Sequence, residues 1–190
     1  MRKQRMDSSR LIQRCKSGDS TAIEELVQTY QSSLYRLALL ITDDPAEADE
    51  VIQDAFIAAC GVTGGYRGEA ALKTWLTSIV VNESRNRLRK RMRQKRLKDR
   101  ILFFKRLAEQ PNSPEKKSIQ QEKKDTVWQA ILELGEKHRI PIILRYYQNL
   151  PVTEIAQILE INVGTAHSRL NTARVRLRDA LSELEEENYE

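Results

Sequence analysis

The amino-acid sequence predicts an all-α protein made of two small helical domains, joined by a flexible linker, with a helix-turn-helix in the second domain. Apolar residues recur every three or four positions in both halves of the chain, and the strict alternation of a half-buried strand does not occur. A polar stretch containing Pro111 and Pro114 separates the two halves. We therefore place the domains at residues 1–100 and 125–190, with the linker at 101–124.

The composition is typical of a cytoplasmic protein. Of the 190 residues 40% are hydrophobic, but no apolar run is long enough to span a membrane, and the N-terminus lacks the apolar core of a signal peptide. Cys15 and Cys60 are single and far apart in the sequence, and His138 and His167 complete no metal-ligand spacing with them. We expect no metal and no cofactor, and we interpret both cysteines as reduced and structural, with a redox role as the alternative.

Positive charge is concentrated in the first half of the chain. Residues 1–106 hold 21 Lys and Arg against 13 Asp and Glu, whereas the remaining residues hold 11 against 14. Between Arg85 and Arg100, ten of sixteen residues are basic and Asp99 is the only acid. Such a stretch is costly to bury without counter-charges, and a nucleic-acid backbone supplies them. The sequence therefore favours a polyanion as a partner of the first half.

Two helices are predicted before the first proline. Residues 8–17 form the first helix, and a second, core helix runs to about Thr42, with apolar residues at helical spacing. Asp19 is expected to cap the second helix, with Thr21 and Glu24 placed as a capping box.

An acidic helix is predicted from Asp44 to about Ala59, because a capping Asp followed by Pro45 is a strong start signal. Its carboxylates are compatible with a solvated face, with a docking surface for a basic partner, or with metal or acid-base catalysis. Catalysis is disfavoured because no His joins them and no Glu-x-x-His pair occurs. The polar side chains of this face are Glu47, Asp49, Glu50, Gln53 and Asp54.

A glycine-rich loop and a long basic helix come next. Four of the seven glycines lie in residues 61–68, but no strand precedes them and no Gly-Lys-Ser or Gly-Lys-Thr follows, so they do not predict a phosphate-binding loop. The helix is predicted to start at about Ala70, with Leu72, Trp75 and Ile79 facing inward before the sequence becomes basic. At this spacing Trp75 is either a core residue or a platform on which a base stacks.

The second half begins with two short predicted helices, at residues 127–134 and 140–148. Gly135 is expected to break the chain between them, and Pro141 fits the first turn of the second helix.

A helix-turn-helix is predicted after them. Its first helix covers about Thr153 to Leu159, and the turn follows at residues 160–162. Asn162 is expected to cap the second helix. Glu160 occupies a position that favours a left-handed backbone, where a residue other than glycine costs roughly 1 kcal/mol.

The second helix of this motif has an apolar face and a polar face. Hydroxyl, amide and guanidinium groups on the polar face suit base edges and phosphates in a DNA major groove, although an ordinary basic surface helix has the same pattern. The inward positions are Ala166, Leu170, Ala173, Leu177 and Leu181, and the outward ones are Ser168, Asn171, Thr172 and Val175, flanked by His167, Arg169, Arg174 and Arg176.

Three segments resemble, in the same order, segments of the extracytoplasmic-function sigma factors, the smallest branch of the bacterial sigma family. Residues 49–56 are similar to the segment that grips the polymerase clamp. Residues 66–82 are similar to the downstream-promoter segment, with Tyr66-Arg67-Gly68 followed by Thr74-Trp75-Leu76 and a closing Asn82. Residues 153–174 are similar to the promoter-reading helix-turn-helix.

This resemblance implies a sigma factor that binds core RNA polymerase, directs it to specific promoters and assists promoter melting, with no enzymatic activity. The implied partners are core RNA polymerase, double-stranded minus-35 DNA, single-stranded minus-10 DNA and an anti-sigma protein. The residues implied to bind polymerase are Glu47, Asp49, Glu50, Gln53, Asp54 and Phe56. Those implied for minus-10 DNA are Tyr66, Arg67, Lys73, Trp75, Asn82, Arg85, Arg87, Arg89, Lys90 and Arg93. Those implied for minus-35 DNA are Thr165, His167, Ser168, Arg169, Asn171, Thr172, Arg174 and Arg176.

Two functions from other classes compete with this interpretation. A stand-alone helix-turn-helix repressor accounts for residues 151–178 but leaves the acidic helix and the basic stretch without a role. A carboxylate-metal hydrolase using Asp49, Glu50 and Asp54 requires tight divalent-ion binding.

Overall fold

The structure is a computed structural model that describes residues 2–61, 65–68, 70–108 and 126–187. All secondary structure in these residues is helical, which confirms the predicted all-α class. None of their helices is long and apolar enough to cross a membrane. The helices are α1 (Arg2–Lys16), α2 (Ser20–Thr42), α3 (Pro45–Cys60), α4 (Leu72–Ala108), α5 (Thr126–Glu133), α6 (Glu136–Ile142), a π-helical turn (Ile143–Tyr147), α7 (Val152–Ile158) and α8 (Val163–Glu187).

The starts of α2 and α3 are set by aspartate caps. Asp19 accepts hydrogen bonds from the backbone N–H groups of the first turn of α2, and Asp44 does the same for α3 with Pro45 at the first helical position. The predicted capping box is wrong. Thr21 lies inside the first turn of α2, because the Asp19 side chain already occupies the capping position two residues earlier.

Helices α2, α3 and α4 pack around the core of the N-terminal half, and α1 lies against α2 and α3. Leu26, Leu37, Val51, Leu76 and Val80 are each at most 1% exposed. Burying a side chain of this kind contributes roughly 1.5–3 kcal/mol. The apolar spacing read from the sequence therefore corresponds to the helix faces that meet in this core.

The start of the C-terminal half differs from the prediction. Gly135 caps α6 as the expected break, but Pro141 lies near the end of α6 and not in the first turn of a later helix. Proline has no N–H to return to the preceding turn, and the chain continues as the π-helical turn, in which the Gln148 N–H bonds the Ile143 carbonyl at 3.3 Å. Burial of the side chains from Ile140 to Leu144 keeps this irregular stretch helical.

The helix-turn-helix forms as predicted. Glu160 has a φ of 54°, in the left-handed region. Asn162 caps α8, because its Oδ1 accepts the Thr165 N–H at 2.7 Å. Ala166, Leu170 and Ala173 are at most 1% exposed, so the predicted inward face of the second helix is confirmed at these positions.

The two halves of the described chain share an interface. Helix α4 contacts α7, α2 contacts the π-helical turn, and buried residues of both halves belong to one continuous cluster. Two polar contacts cross it: the Thr74 hydroxyl donates to Glu154 at 2.9 Å, and Arg85 Nε donates to Glu136 at 2.9 Å. Helix α4 continues past residue 100, where the first domain was predicted to end. The remainder of the predicted linker, from residue 109 onward, lies outside the described residues.

His138 on α6 is buried against α8. Its side chain is 6% exposed, and its Nδ1–H donates to the Arg169 carbonyl at 3.3 Å. Burial lowers the pKa of His138 below its usual 6.5, outweighing the opposite effect of this hydrogen bond. The folded protein therefore binds fewer protons than the unfolded chain near that pH. The stability that depends on neutral His138 is fully present above the pKa of this histidine in the unfolded chain, and it is lost as the pH falls below that value.

We expect acidification from about pH 7.5 to about pH 5.5 to destabilise the wild type more than the His138→Gln variant, whose amide can still donate to the carbonyl. One histidine can add a slope of at most about 1.4 kcal/mol per pH unit. Urea unfolding at several pH values measures the difference. His167→Gln is the matched control, because His167 is the other histidine and is exposed. Parallel pH profiles for wild type and His138→Gln would contradict the assignment.

Candidate protein and nucleic-acid interfaces

The acidic face of α3 divides into free and paired residues. Asp49, Gln53 and Ile57 follow one another at four-residue spacing along one exposed stripe. Ile57 is 70% exposed, the largest exposure among the large apolar side chains in the described part of the chain. An apolar side chain flanked by a carboxylate and an amide on a rigid helix is suited to contact another protein.

The other carboxylates of α3 are paired with α4. Arg87 binds both Glu50 and Asp54, the latter at 2.7 Å, and Arg91 approaches Glu47 at 3.9 Å. These side chains are partly exposed, and ion pairs of this kind contribute about 0–1 kcal/mol each. The pairs therefore orient α3 against α4 and can exchange partners at small cost.

Phe56 and Ile57 lie on different sides of α3. Phe56, predicted to bind polymerase, is half-buried against the hydrophobic core. Ile57, which was not predicted, is exposed beside Gln53. Its four-residue spacing from Gln53 was the signal that could have identified it.

Two aromatic rings lie where the loop after α3 joins α4. The ring centroids of Tyr66 and Trp75 are 5.1 Å apart with an interplanar angle of 49°, and the Tyr66 hydroxyl donates to the Ala70 carbonyl at 3.0 Å. Both side chains are half-buried and pack against the core, whereas Arg67 is exposed. Trp75 thus packs against the core and is also partly exposed at the surface.

A polar stripe continues from these rings along α4. Asn82, Arg89 and Arg93 recur at intervals that place them on one face of the helix, and the exposed Asn86 lies among them. Arg89, Lys90 and Arg93 are exposed and have no ion-pair partner among the described side chains. Asn86 was missed by the sequence analysis, although its spacing from Asn82 identifies it.

Other predicted cations of this group do not join the stripe. Arg85 is about one quarter exposed and is paired with Glu136 of the C-terminal half, and Arg87 is paired with α3. Lys73 is exposed on the first turn of α4, nine positions before Asn82 and hence on the opposite side of the helix. The predicted basic residues therefore do not form one surface. Arg89 and Arg93 lie on the exposed stripe, Arg85 and Arg87 are paired within the chain, and Lys73 lies on the opposite side of α4.

The polar face of α8 is largely open. Ser168, Asn171, His167 and Arg176 are exposed, and Thr165 and Thr172 are half-buried. Arg174 is also exposed, but its Nε donates to the Tyr146 hydroxyl at 2.9 Å. Arg169 is half-buried and lines a cleft of about 360 Å³ together with Arg85 and Lys137. Seven of the predicted positions thus lie on or beside an open face, and Arg169 lies toward the N-terminal half.

Carboxylate-metal chemistry has no assembled site in the described part of the chain. No group of three or more His, Cys, Asp or Glu side chains there is arranged to hold a metal ion. Glu50 and Asp54, two members of the alternative hydrolase site, are bound to Arg87.

Two family matches cover more than half of the chain. Residues 18–94 match the family described as Sigma-70 region 2. Residues 124–177 match the family described as Sigma-70, region 4. The first match spans the acidic helix and the polar stripe of α4, and the second ends within α8, after the outward positions of the helix-turn-helix.

Three similar proteins span nearly the same length. RNA polymerase sigma-H factor of Pseudomonas aeruginosa is 34% identical over 92% of this chain and 93% of its own length. ECF RNA polymerase sigma factor SigW of Bacillus subtilis is 30% identical over 91% of this chain and 96% of its own. ECF RNA polymerase sigma-E factor of Escherichia coli is 32% identical over 86% of this chain and 88% of its own.

Two solved structures share the fold. The sigma factor RpoE from Bartonella quintana, in complex with the anti-sigma factor NepR, aligns with a TM-score of 0.63 and 22% identity over 84% of this chain and 96% of that one. CnrH, in complex with the cytosolic domain of CnrY, aligns with a TM-score of 0.63 and 21% identity over 95% of this chain and 97% of that one. With both sigma-70 regions present in order and relatives matched along almost their whole length, this chain belongs to the extracytoplasmic-function sigma factors of bacterial RNA polymerase.

Proposed function

We propose that this sigma factor separates its three tasks onto three helix faces: α3 for core polymerase, α4 for the minus-10 strand and α8 for the minus-35 duplex. One observation supports this proposal most directly: on α3 and α4 some charged side chains are paired with each other, and others have no ion-pair partner within the described residues. On α3 the unpaired Asp49 lies in one exposed stripe with Gln53 and Ile57, and on α4 the unpaired Arg89 and Arg93 lie in one stripe with Asn82. The division of labour follows the domain limits proposed above, with residues 1–100 and 125–190 as the functional units.

The polymerase surface that we propose consists of Asp49, Gln53 and Ile57. Burying Ile57 against a partner removes an exposed apolar surface from water, and the carboxylate of Asp49 supplies charge complementarity for a basic partner. Glu47, Glu50 and Asp54 act behind this stripe, since their pairs with Arg87 and Arg91 hold α3 in position on α4.

The minus-10 surface that we propose runs from Tyr66 and Trp75 along Asn82 to Arg89 and Arg93. Aromatic rings provide faces for unstacked bases, an asparagine amide can bond a base edge, and guanidinium groups bind the phosphate backbone. Arg67 and Lys90 are exposed and add positive charge around it, whereas Lys73 is exposed on the opposite side of α4.

Arg85 reaches the same strand only after Glu136 releases it. Its side chain is held by Glu136 of the C-terminal half, and Thr74, nearer the start of α4, is held by Glu154. Promoter DNA therefore competes with two carboxylates for this part of α4. The contact is polar and partly exposed, so it weakens with salt and can be exchanged for phosphates.

The minus-35 surface that we propose is the outward face of α8. Ser168, Asn171 and Thr172 carry short polar groups suited to base edges, and Arg176 on the flank reaches phosphates. His167, Thr165 and Arg174 border this face. Arg169 is half-buried in the cleft that it lines with Arg85, so its side chain has to leave this cleft to contact DNA.

We also propose an anti-sigma protein as a partner, because the similar RpoE chain is solved with the anti-sigma factor NepR. We assign no catalytic step to this chain, and we place its work in the cytoplasm with RNA polymerase.

For the polymerase surface, we expect Asp49→Lys and Ile57→Gln each to weaken binding to core polymerase. Loss of the apolar contact at Ile57 is expected to cost about 1–2 kcal/mol, or roughly 5- to 30-fold in affinity. Competition binding with a labelled sigma factor measures it. Glu25→Lys is the control, because Glu25 is an exposed carboxylate on α2, away from this stripe. Unchanged affinity of both test variants would remove α3 as the docking helix.

For the minus-10 surface, we expect Asn82→Ala to reduce discrimination at a single base and Arg93→Ala to weaken binding to all sequences alike. The reason is that an amide bonds one base edge, whereas a guanidinium contacts the backbone. Transcription by holoenzyme from a randomised minus-10 library distinguishes the two effects. Arg36→Ala, at an exposed arginine on α2, is the control. An unaltered base preference in Asn82→Ala would place the base pocket elsewhere.

For the minus-35 surface, we expect Asn171→Ala to cost about 1–3 kcal/mol at one base pair and little at the others. Arg176→Ala should instead lower the slope of log affinity against log salt by roughly one unit, with no change in sequence preference. Salt-series binding of holoenzyme to a minus-35 library measures both. Each variant controls for the other, and an exchange of the two phenotypes would reverse the assigned roles. Tight operator binding by a dimer of this chain alone would favour the repressor function.

A further inference from the structure

Cys15 and Cys60 lie far apart in the sequence but meet in the structure. Cys15 is in the last turn of α1 and is 2% exposed, and Cys60 is the half-buried last residue of α3. The two helices are in contact, both cysteines pack in the same hydrophobic cluster, and each thiol shifts the pKa of the other. The chain has two cysteines, so the described structure brings together both of its thiols.

We propose that Cys15 and Cys60 are an oxidisable pair that forms a disulfide between α1 and α3 when the protein meets a peroxide. Helices α1 and α3 are already packed against each other, so the reaction needs no approach of distant segments. In a reducing compartment such a pair stays reduced until an oxidant is present, which is typical of a redox-responsive site.

The two thiols are not equivalent, and this sets the order of reaction. Burial raises the pKa of the Cys15 thiol to about 11. Burial also raises the pKa of Cys60, but the interaction with the Cys15 thiol offsets part of that rise. Cys60 is also the more exposed of the two. Cys60 is therefore the thiol that meets the oxidant, and the reaction is slow at neutral pH because little thiolate is present.

The chemistry balances with hydrogen peroxide as the oxidant. The Cys60 thiolate attacks one peroxide oxygen, the O–O bond breaks, and hydroxide leaves and takes up the thiol proton as water. The resulting sulfenic acid is attacked by the Cys15 sulfur, which loses its proton as the S–S bond forms and the S–O bond breaks, releasing a second water. Two thiols and one peroxide give one disulfide and two waters.

The disulfide would join α1 covalently to the end of α3, directly before the loop that leads to the minus-10 surface. Cys60 directly precedes that loop, and the loop also rests on α1 further along. A Cβ built at Gly68, whose φ is 74°, would lie 3.2 Å from the Ser9 hydroxyl oxygen. Helix α1 therefore touches the loop at Gly68 and the end of α3 at Cys60. Closing the ring between Cys15 and Cys60 also restricts the unfolded chain, which stabilises the fold.

The test is oxidation of the native full-length protein with hydrogen peroxide, followed by thiol titration in denaturant. We expect both titratable thiols to be lost in a monomer, an intact mass lower by two hydrogens, a cross-linked peptide joining the Cys15 and Cys60 segments, and a melting temperature several degrees higher that returns on reduction.

Two single variants serve as controls. Cys60→Ser, at the half-buried position, and Cys15→Ala, at the buried one, are each expected to fold and to form no intramolecular cross-link. Circular dichroism checks the fold of each, and Cys60→Ser alone suffices if Cys15→Ala does not fold. The proposal is overturned if the native protein keeps two titratable thiols, or if oxidation gives sulfinic acid or intermolecular dimers in place of the internal disulfide. This readout is independent of transcription, so it stands or falls separately from the proposed surfaces.

Discussion

Helix α4 has to bury an apolar stripe while it carries the greatest density of positive charge in the chain. Leu72, Leu76, Val80 and Leu88 lie in the core and fix the rotation of the helix. Once that rotation is set, the helical period assigns a direction to every other side chain. One flank faces α3, the opposite flank faces the C-terminal half, and the stripe between them faces solvent. Every proposed surface in the N-terminal half depends on this packing.

The paired charges explain how a chain rich in cations remains compact. Arg87 is neutralised by two carboxylates of α3, and Arg85 by Glu136 across the interface between the halves. Each pair is partly exposed, so Coulomb attraction is screened and the net stabilisation is small. Small contributions favour exchange. The phosphates of promoter DNA are negative, like the carboxylates that now pair with Arg85 and Arg87. On binding, they can therefore take the place of those carboxylates.

Packing between helices also sets the surroundings of His138, Glu160 and the two cysteines. Ala166 and Ala173 are fully buried where α8 packs on its neighbours, and His138 on α6 bonds the Arg169 carbonyl of α8. The left-handed Glu160 is tolerated because burial on both sides of the turn outweighs a strain of about 1 kcal/mol. The meeting of Cys15 with Cys60 has the same origin, since it follows from how α1 lies on α3.

The sequence by itself determined the helices, the aspartate caps, the helix-turn-helix with its strained turn and the inward face of α8, because these depend on spacing and on contacts within a few residues. It did not determine which arginines of α4 are free, how Pro141 is accommodated, or that the two cysteines lie on helices that pack together. Those outcomes depend on which helix faces lie opposite one another. Only the tertiary structure decides that, because the partners come from segments whose separation along the chain carries no local signal.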